Sequence, residues 1–152
     1  MPNTPATIGE GVTAVNFSSN FTADERVAVM KILSCFGKIY ELEERLFPVF
    51  VGIAGSLPAY VFMFIEALAD GAVLEGMTRQ KAYEIACESV AGSAKMAGVL
   101  LKEGKHPAQL KDEVCSPSGT TIEDVRVLEN AKFRAAIIEA VSAAANKSRR
   151  QE

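Results

Sequence analysis

The segment Ser116-Pro-Ser-Gly-Thr-Thr121 is the part of this chain best suited to chemistry, because it runs straight into the helix-like stretch Ile122-Glu-Asp-Val125. The first amides of a helix have no partners within it and sit at its positive end, so they form a natural anion site. Gly119 frees the backbone there. The carboxylate of a small acid would fit, with a threonine hydroxyl left to reach a second polar atom. An ordinary helix cap is the competing reading, with Thr120 or Thr121 as the cap and Glu123 and Asp124 in the first turn.

Other candidates carry less. His106 precedes Pro107 between helical stretches and reads as a loop or capping histidine rather than a catalytic one. Glu66 and Asp70 stand one helical turn apart on one face, which suits hydrogen bonding or an interface arginine better than a paired acid site. One histidine cannot serve a Ser-His-Asp or Cys-His scheme. Gly9-Glu-Gly11-Val-Thr-Ala14 formally satisfies a dinucleotide fingerprint, but that motif needs a strand before it and a helix after it. Here a strand follows, so the match is rejected.

Composition narrows the classes. The chain has 152 residues, 49% of them apolar and 23% charged, with a net charge of −3. That length allows one core with a short appendage. The acidic balance argues against nucleic acid as a partner. The only basic cluster, Lys147, Arg149 and Arg150, suits the end of a helix. Cys35, Cys87 and Cys115 are too irregularly spaced for a disulfide framework or, with His106, for a metal site, so no metal is expected. Cys35 and Cys87 read as small core residues. No signal-like opening is seen, and a cytoplasmic setting is the expectation.

The elements that must position these residues fall into three segments. Gly11–Phe17 and Lys38–Leu42 read as strands. Between them Thr22 and Glu25 have capping-box spacing ahead of a helix that Gly37 is placed to end. One β-α-β unit cannot cover both faces of a parallel sheet, so the segment is expected to close a larger sheet that begins upstream. From about residue 44 the chain is helical: Pro48 offsets a first helix, and Gly52 to Pro58 is a small-residue turn. A long apolar helix then runs to about Gly76, and another from Thr78 to about Lys102. The first of these is apolar almost all round, yet carries Glu66 and Asp70, so a partner subunit is expected to bury it rather than a membrane. Ala82, Ala86, Val90, Ala94 and Gly98 form a row of small residues suited to close helix packing. A short helix near Pro107–Glu113, a loop at Cys115–Gly119 and two further helices, parted by Leu128–Lys132, complete the chain.

Several of these stretches resemble the successive signatures of the pyrroline-5-carboxylate reductases: Pro58-Ala-Tyr-Val-Phe62, Glu66-Ala-Leu-Ala-Asp70-Gly71, Ala94-Lys-Met96, His106-Pro-Ala-Gln-Leu-Lys-Asp112 and Ser116-Pro-Ser-Gly-Thr-Thr121. Val127-Leu-Glu129 and Phe133-Arg-Ala-Ala136 continue the likeness, and Met1-Pro-Asn-Thr-Pro5 resembles the end of that family's nucleotide domain. The order and spacing hold over essentially the whole chain.

The resemblance implies a mainly α fold: a helical dimerisation bundle at 44–152, preceded at 1–43 by a short β-α-β remnant of a Rossmann domain. It implies reduction of 1-pyrroline-5-carboxylate to proline with NADPH or NADH, the cofactor held mainly by an upstream domain, and a homodimer or dimer-based assembly. It implies that Ser118, Gly119, Thr120 and Thr121 bind the substrate, with the Thr121 hydroxyl meeting the ring nitrogen as the catalytic contact. It further implies cofactor contacts at Pro2, Asn3 and Ser56. Two departures stand out: Leu57 and Ser118 occupy positions where the family usually has glycine. Leu57 would be strained if its position required positive φ. The alternative reading is a non-catalytic, stand-alone helical dimerisation module.

Overall fold

The computed structural model describes residues 1–151. They form two compact units: one comprises Met1–Val61 together with the chain from Ala136 onward, and the other Phe62–Ala135.

The first unit opens on a 3-10 turn at Thr4–Ile8, then strand β1 (Gly11–Val15), helix α1 (Ala23–Leu33) and strand β2 (Gly37–Glu41). The strands are parallel, with Gly11 opposite Gly37 and Val15 opposite Glu41. A right-handed parallel connection needs a crossover, which α1 supplies. The capping box expected at its start is formed. Thr22 Oγ1 accepts the Glu25 N–H at 3.3 Å, and the Thr22 N–H donates to Glu25 Oε2 at 2.8 Å. The helix ends at Leu33, earlier than expected, and a 3-10 turn at Ser34–Phe36 leads to Gly37 at φ 130°. A side chain on Gly37 would collide with the Gly11 backbone, so this glycine lets the two strands start side by side. Residues Met1 and Pro2 flank the other edge of β1, where the Ala14 N–H donates to the Met1 carbonyl at 2.9 Å.

A small core of Ala14, Phe50 and Ala54, with Val12, Leu42 and Phe47 packed on it, joins the sheet to the next helical run. That run corrects one expectation. Gly52–Pro58 is not a break: helix α2 (Phe47–Phe50) passes into a wide π-type turn at Val51–Gly55 and then into helix α3 (Leu57–Leu74). The small residues that suggested a loop instead allow close packing. A β-carbon on Gly52 would lie 2.6 Å from the Val141 carbonyl of helix α7 (Phe133–Arg149). Tyr60 Oη also reaches α7, donating to the Ala140 carbonyl at 3.4 Å.

The second unit holds most of α3, the helices α4 (Arg79–Lys102), α5 (Pro107–Val114) and α6 (Thr120–Asn130), and the first turn of α7. Gly76 and Gly104 take positive φ just past the ends of α3 and α4, as left-handed helix stops do. Thr78 precedes α4 in extended conformation but makes no capping bond. Asp70 pairs with Arg79, whose guanidinium lies 5.5 Å from the Tyr83 ring centre, and this clamps the turn between α3 and α4. Phe64 and Phe133 rings meet at 6.2 Å. Helix α6 runs through Asn130, so the gap before α7 is only Ala131 and Lys132, not Leu128–Lys132; Lys132 makes the break at φ 60°.

The helices leave much apolar surface open. The run Glu44–Leu74 is long and apolar enough to cross a membrane, with mean hydropathy 1.8. Within α3 only Ala69 is buried, and Phe62 and Met63 are 64% and 68% exposed. On α4, Ala82 and Ala86 are buried, whereas Ala94 and Gly98 are exposed. Cys35 and Cys87 are exposed as well, against the expectation of core positions, because the faces that carry them are not covered within the chain.

Candidate functional site

The candidate site is built by the connection from α5 to α6. His106 sets the start of α5. Its Nδ1 accepts the Ala108 N–H at 3.1 Å, while Gln109 Oε1 accepts the His106 N–H at 3.1 Å, a reciprocal cap. Its ring is therefore engaged as a cap, as one of the two sequence readings held. Lys105 and Glu113, paired at 2.9 Å, tie the entry of the helix to its last turn.

Helix α5 stops at Cys115, which is extended, and the chain then reverses over Ser116–Gly119. The Gly119 N–H donates to the Ser116 carbonyl at 3.1 Å, closing a four-residue turn. Pro117 takes the second position and Ser118 the third, at φ 58°. Proline second and positive φ third is the pattern of a type II turn, whose third position favours glycine. Ser118 thus occupies a left-handed conformation without glycine's freedom from Cβ strain. Leu57 is different: the non-glycine residues at positive φ are Ser118 and Lys132, so the strain considered for Leu57 is not present.

Gly119 is the residue before α6, extended at φ −77° and ψ 172°. The helix begins at Thr120 and receives no side-chain cap. This overturns the expectation that Thr120 or Thr121 caps it. The cap position falls on Gly119, one residue before the threonines, and glycine has no side chain to offer. The leading amides of α6 are consequently free of side-chain acceptors. Ser118 and Thr120 are exposed, and Gly119 and Thr121 are half-buried.

The acidic charge at the start of α6 is partly offset. Glu123 in the first turn would repel one, but Arg126 binds both of its oxygens, one at 2.8 Å. The Arg126 hydrogen bonds hold the Glu123 carboxyl below its usual range. Both side chains remain solvated, so this pairing offsets charge more than it stabilises the helix.

Two contributors were not singled out from sequence. Ser116 braces the turn through its carbonyl, and its hydroxyl fills the space a side chain on Gly119 would need. A serine followed by proline at a turn start is a readable signal for that role. Arg126 could have been found from the Glu-x-x-Arg spacing of 123 and 126.

The residues expected at the cofactor lie in the first compact unit. Pro2 bridges to Thr13 beside β1. The side chain of Asn3 accepts the Val12 N–H at 2.8 Å and donates to the Ala54 carbonyl at 3.1 Å. Ser56, half-buried, follows the wide turn, and its N–H donates to the Val51 carbonyl at 2.7 Å. Residues Gly9–Ala14 form a turn leading into β1, so the rejected fingerprint is not a phosphate cradle. The described residues therefore do not fit a dinucleotide diphosphate: none supplies the strand, glycine turn and helix start it needs. Among the described residues no group of His, Cys, Asp and Glu is arranged to hold a metal.

Comparison with known proteins gives the chain its relatives. Residues 44–151 match the family model described as pyrroline-5-carboxylate reductase dimerisation. Over 148 residues the chain is 52% identical to a pyrroline-5-carboxylate reductase of Escherichia coli, covering 97% of this chain and 54% of that protein. It is 44% identical to one from Arabidopsis thaliana, covering 98% of this chain and 53% of the relative. The chain thus spans about half the length of these curated relatives. Among solved structures, Plasmodium falciparum pyrroline carboxylate reductase with NADP bound superposes with a TM-score of 0.88 at 34% identity. It matches 97% of this chain and 59% of its own.

Proposed function

This chain belongs to the pyrroline-5-carboxylate reductase dimerisation family, and from that premise we propose that it supplies the dimer interface and substrate-carboxylate site of an enzyme reducing 1-pyrroline-5-carboxylate to proline. The observation that carries the reading is the start of α6: a glycine-led helix terminus with no side-chain cap, behind a turn braced by Ser116. In this reading Ser118 and Gly119 form the turn beside the substrate carboxylate, which lies on the amides of Thr120 and Thr121. The Thr121 hydroxyl meets the ring nitrogen and holds its proton.

Little more is asked of these residues. A protonated imine is already electrophilic, so the task is to fix the C=N carbon in place and exclude water. NADPH or NADH, held mainly by a nucleotide-binding domain of which residues 1–43 are the end, supplies the hydride when bound. Because the described residues offer no diphosphate cradle, their part is confined to binding and orientation. Residues 44–152 act as the dimerisation and substrate domain.

The open apolar face of α3 supports a homodimer. Burying Phe62 and Met63 would contribute about 1.5–3 kcal/mol each before the costs of association. The exposed Glu66 and Asp70 of this helix, the latter paired with Arg79 of α4, suit a protein partner in water better than lipid. A cytoplasmic setting goes with this reading.

The deciding experiment is hydrogen exchange on the complete polypeptide with and without L-proline. Selective protection of the amides at 120–122 is expected. Protection absent there at saturating L-proline would remove the site assignment.

A further inference from the structure

We infer that Asn3 is a positioning residue and not a cofactor ligand: its amide holds the wide turn Val51–Gly55, and through that turn the main chain at Ser56. The inference rests on the reading above for its catalytic consequence, but its geometry stands alone.

Asn3 is committed on both sides. Its Oδ1 accepts the Val12 N–H at 2.8 Å and its Nδ2 donates to the Ala54 carbonyl at 3.1 Å, joining segments 51 residues apart. Its own N–H donates to the Val12 carbonyl at 3.1 Å, so the residue is locked to β1 before its side chain reaches the turn. The turn needs such a partner. The Ser56 N–H reaches back five residues to the Val51 carbonyl, and the residue four beyond Ala54 is Pro58, which has no N–H to donate, so the Ala54 carbonyl must look elsewhere.

The opposite side of the turn is fixed too, since Gly52 packs against the Val141 carbonyl with no room for a β-carbon. The wide turn is therefore gripped from two sides, by Asn3 and by α7. Beside it lies an apolar recess of about 330 Å³, walled by Asn3, Val12, Ile53, Ala54 and Leu57. A shift of the turn would move Ser56 and Leu57 together and reshape that recess. The clamp needs one acceptor and one donor at short reach, which the asparagine amide supplies. Aspartate keeps the bond from Val12 but sets a carboxylate oxygen against the Ala54 carbonyl.

The test uses the complete polypeptide carrying Asn3→Asp and, separately, Gly52→Ala, which pushes on the same turn from the α7 side. Hydrogen exchange at 51–57 is expected to quicken about tenfold or more in both, with 120–122 unaffected. Imine reduction is expected to lose about tenfold to a hundredfold in kcat, while the Kd for NADPH stays within about twofold. Unchanged exchange at 51–57 in Asn3→Asp, or a Kd for NADPH weakened about tenfold in that variant alone, would overturn the inference. If Asn3→Asp fails to fold, Gly52→Ala decides: quickened exchange with undiminished kcat overturns it, and quickened exchange with reduced kcat supports it. If the unaltered polypeptide shows no imine reduction, the function reading falls. Exchange at the turn still judges the clamp by the same outcomes.

Discussion

The Ser116 hydroxyl occupies the space where a side chain on Gly119 would stand, while the Gly119 N–H bonds the Ser116 carbonyl at 3.1 Å. The two residues close one turn, and that turn leads directly into the first amides of α6. Substitution at either end therefore changes the shape of that turn before it changes the stability of the chain.

Gly119→Val forces a branched side chain into the Ser116 hydroxyl. Overpacking of this kind costs about 1–3 kcal/mol, taken up here by displacement of an exposed turn. Binding of L-proline by the complete polypeptide, followed by calorimetry, is expected to weaken at least about tenfold. Sedimentation should show an unchanged oligomer. Unaltered affinity would mean the carboxylate is held elsewhere.

Ser118→Gly relieves the left-handed backbone at φ 58°. The gain in the folded state is about 1 kcal/mol, reduced by the larger entropy glycine gains when unfolded. A net stabilisation of up to about 0.5–1 kcal/mol is expected from the urea midpoint. Ser118→Val should move the midpoint the other way, because a β-branched residue tolerates that conformation least.

Ala86→Phe tests the small-residue row of α4. Ala86 is 7% exposed, and a phenyl ring there must displace its neighbours. A loss of about 1–3 kcal/mol is expected by thermal denaturation. The same change at the exposed Ala94 should cost little within one subunit, so a large cost there would reveal a neighbouring copy packed on that end of the helix.

The cap of α1 gives a pH signature. The backbone hydrogen bond from Thr22, and then the bond to its hydroxyl, lower the Glu25 carboxyl below its usual value. A carboxyl depressed on folding contributes stability above its unfolded pKa and loses it as pH falls through the folded value. Exchange protection at the start of α1 is expected to hold near neutrality and to fade in acid, below the ordinary glutamate range. Glu25→Gln should flatten that dependence. Thr22→Ala should remove the cap at every pH, at a cost of about 1 kcal/mol.

The elements themselves were legible in the sequence because their signals are local. The capping box at Thr22 and Glu25, the glycines at 76 and 104 and the parallel β-α-β order all depend on residues close together in the chain, and all are found in the fold. The order and spacing of motifs from Pro58 to Ala136 pointed to the family that the match over 44–151 then identified. The turn leading into α6 was legible for the same reason, since a glycine before a helix start is a feature of a few adjacent residues.

Only the tertiary structure decided what depends on distant neighbours. Gly52–Pro58 reads as a turn because small residues suit turns. It is a wide helical turn against which Asn3 and Val141, from opposite ends of the chain, both pack. Local signal could not assign Asn3 to two main-chain partners, nor show that Thr120 and Thr121 leave the α6 amides uncapped. Nor could composition show that Cys35, Cys87 and most of α3 remain uncovered within one chain. An apolar pattern demands burial, but the covering surface is chosen by packing, and packing is settled by contacts the local sequence does not contain.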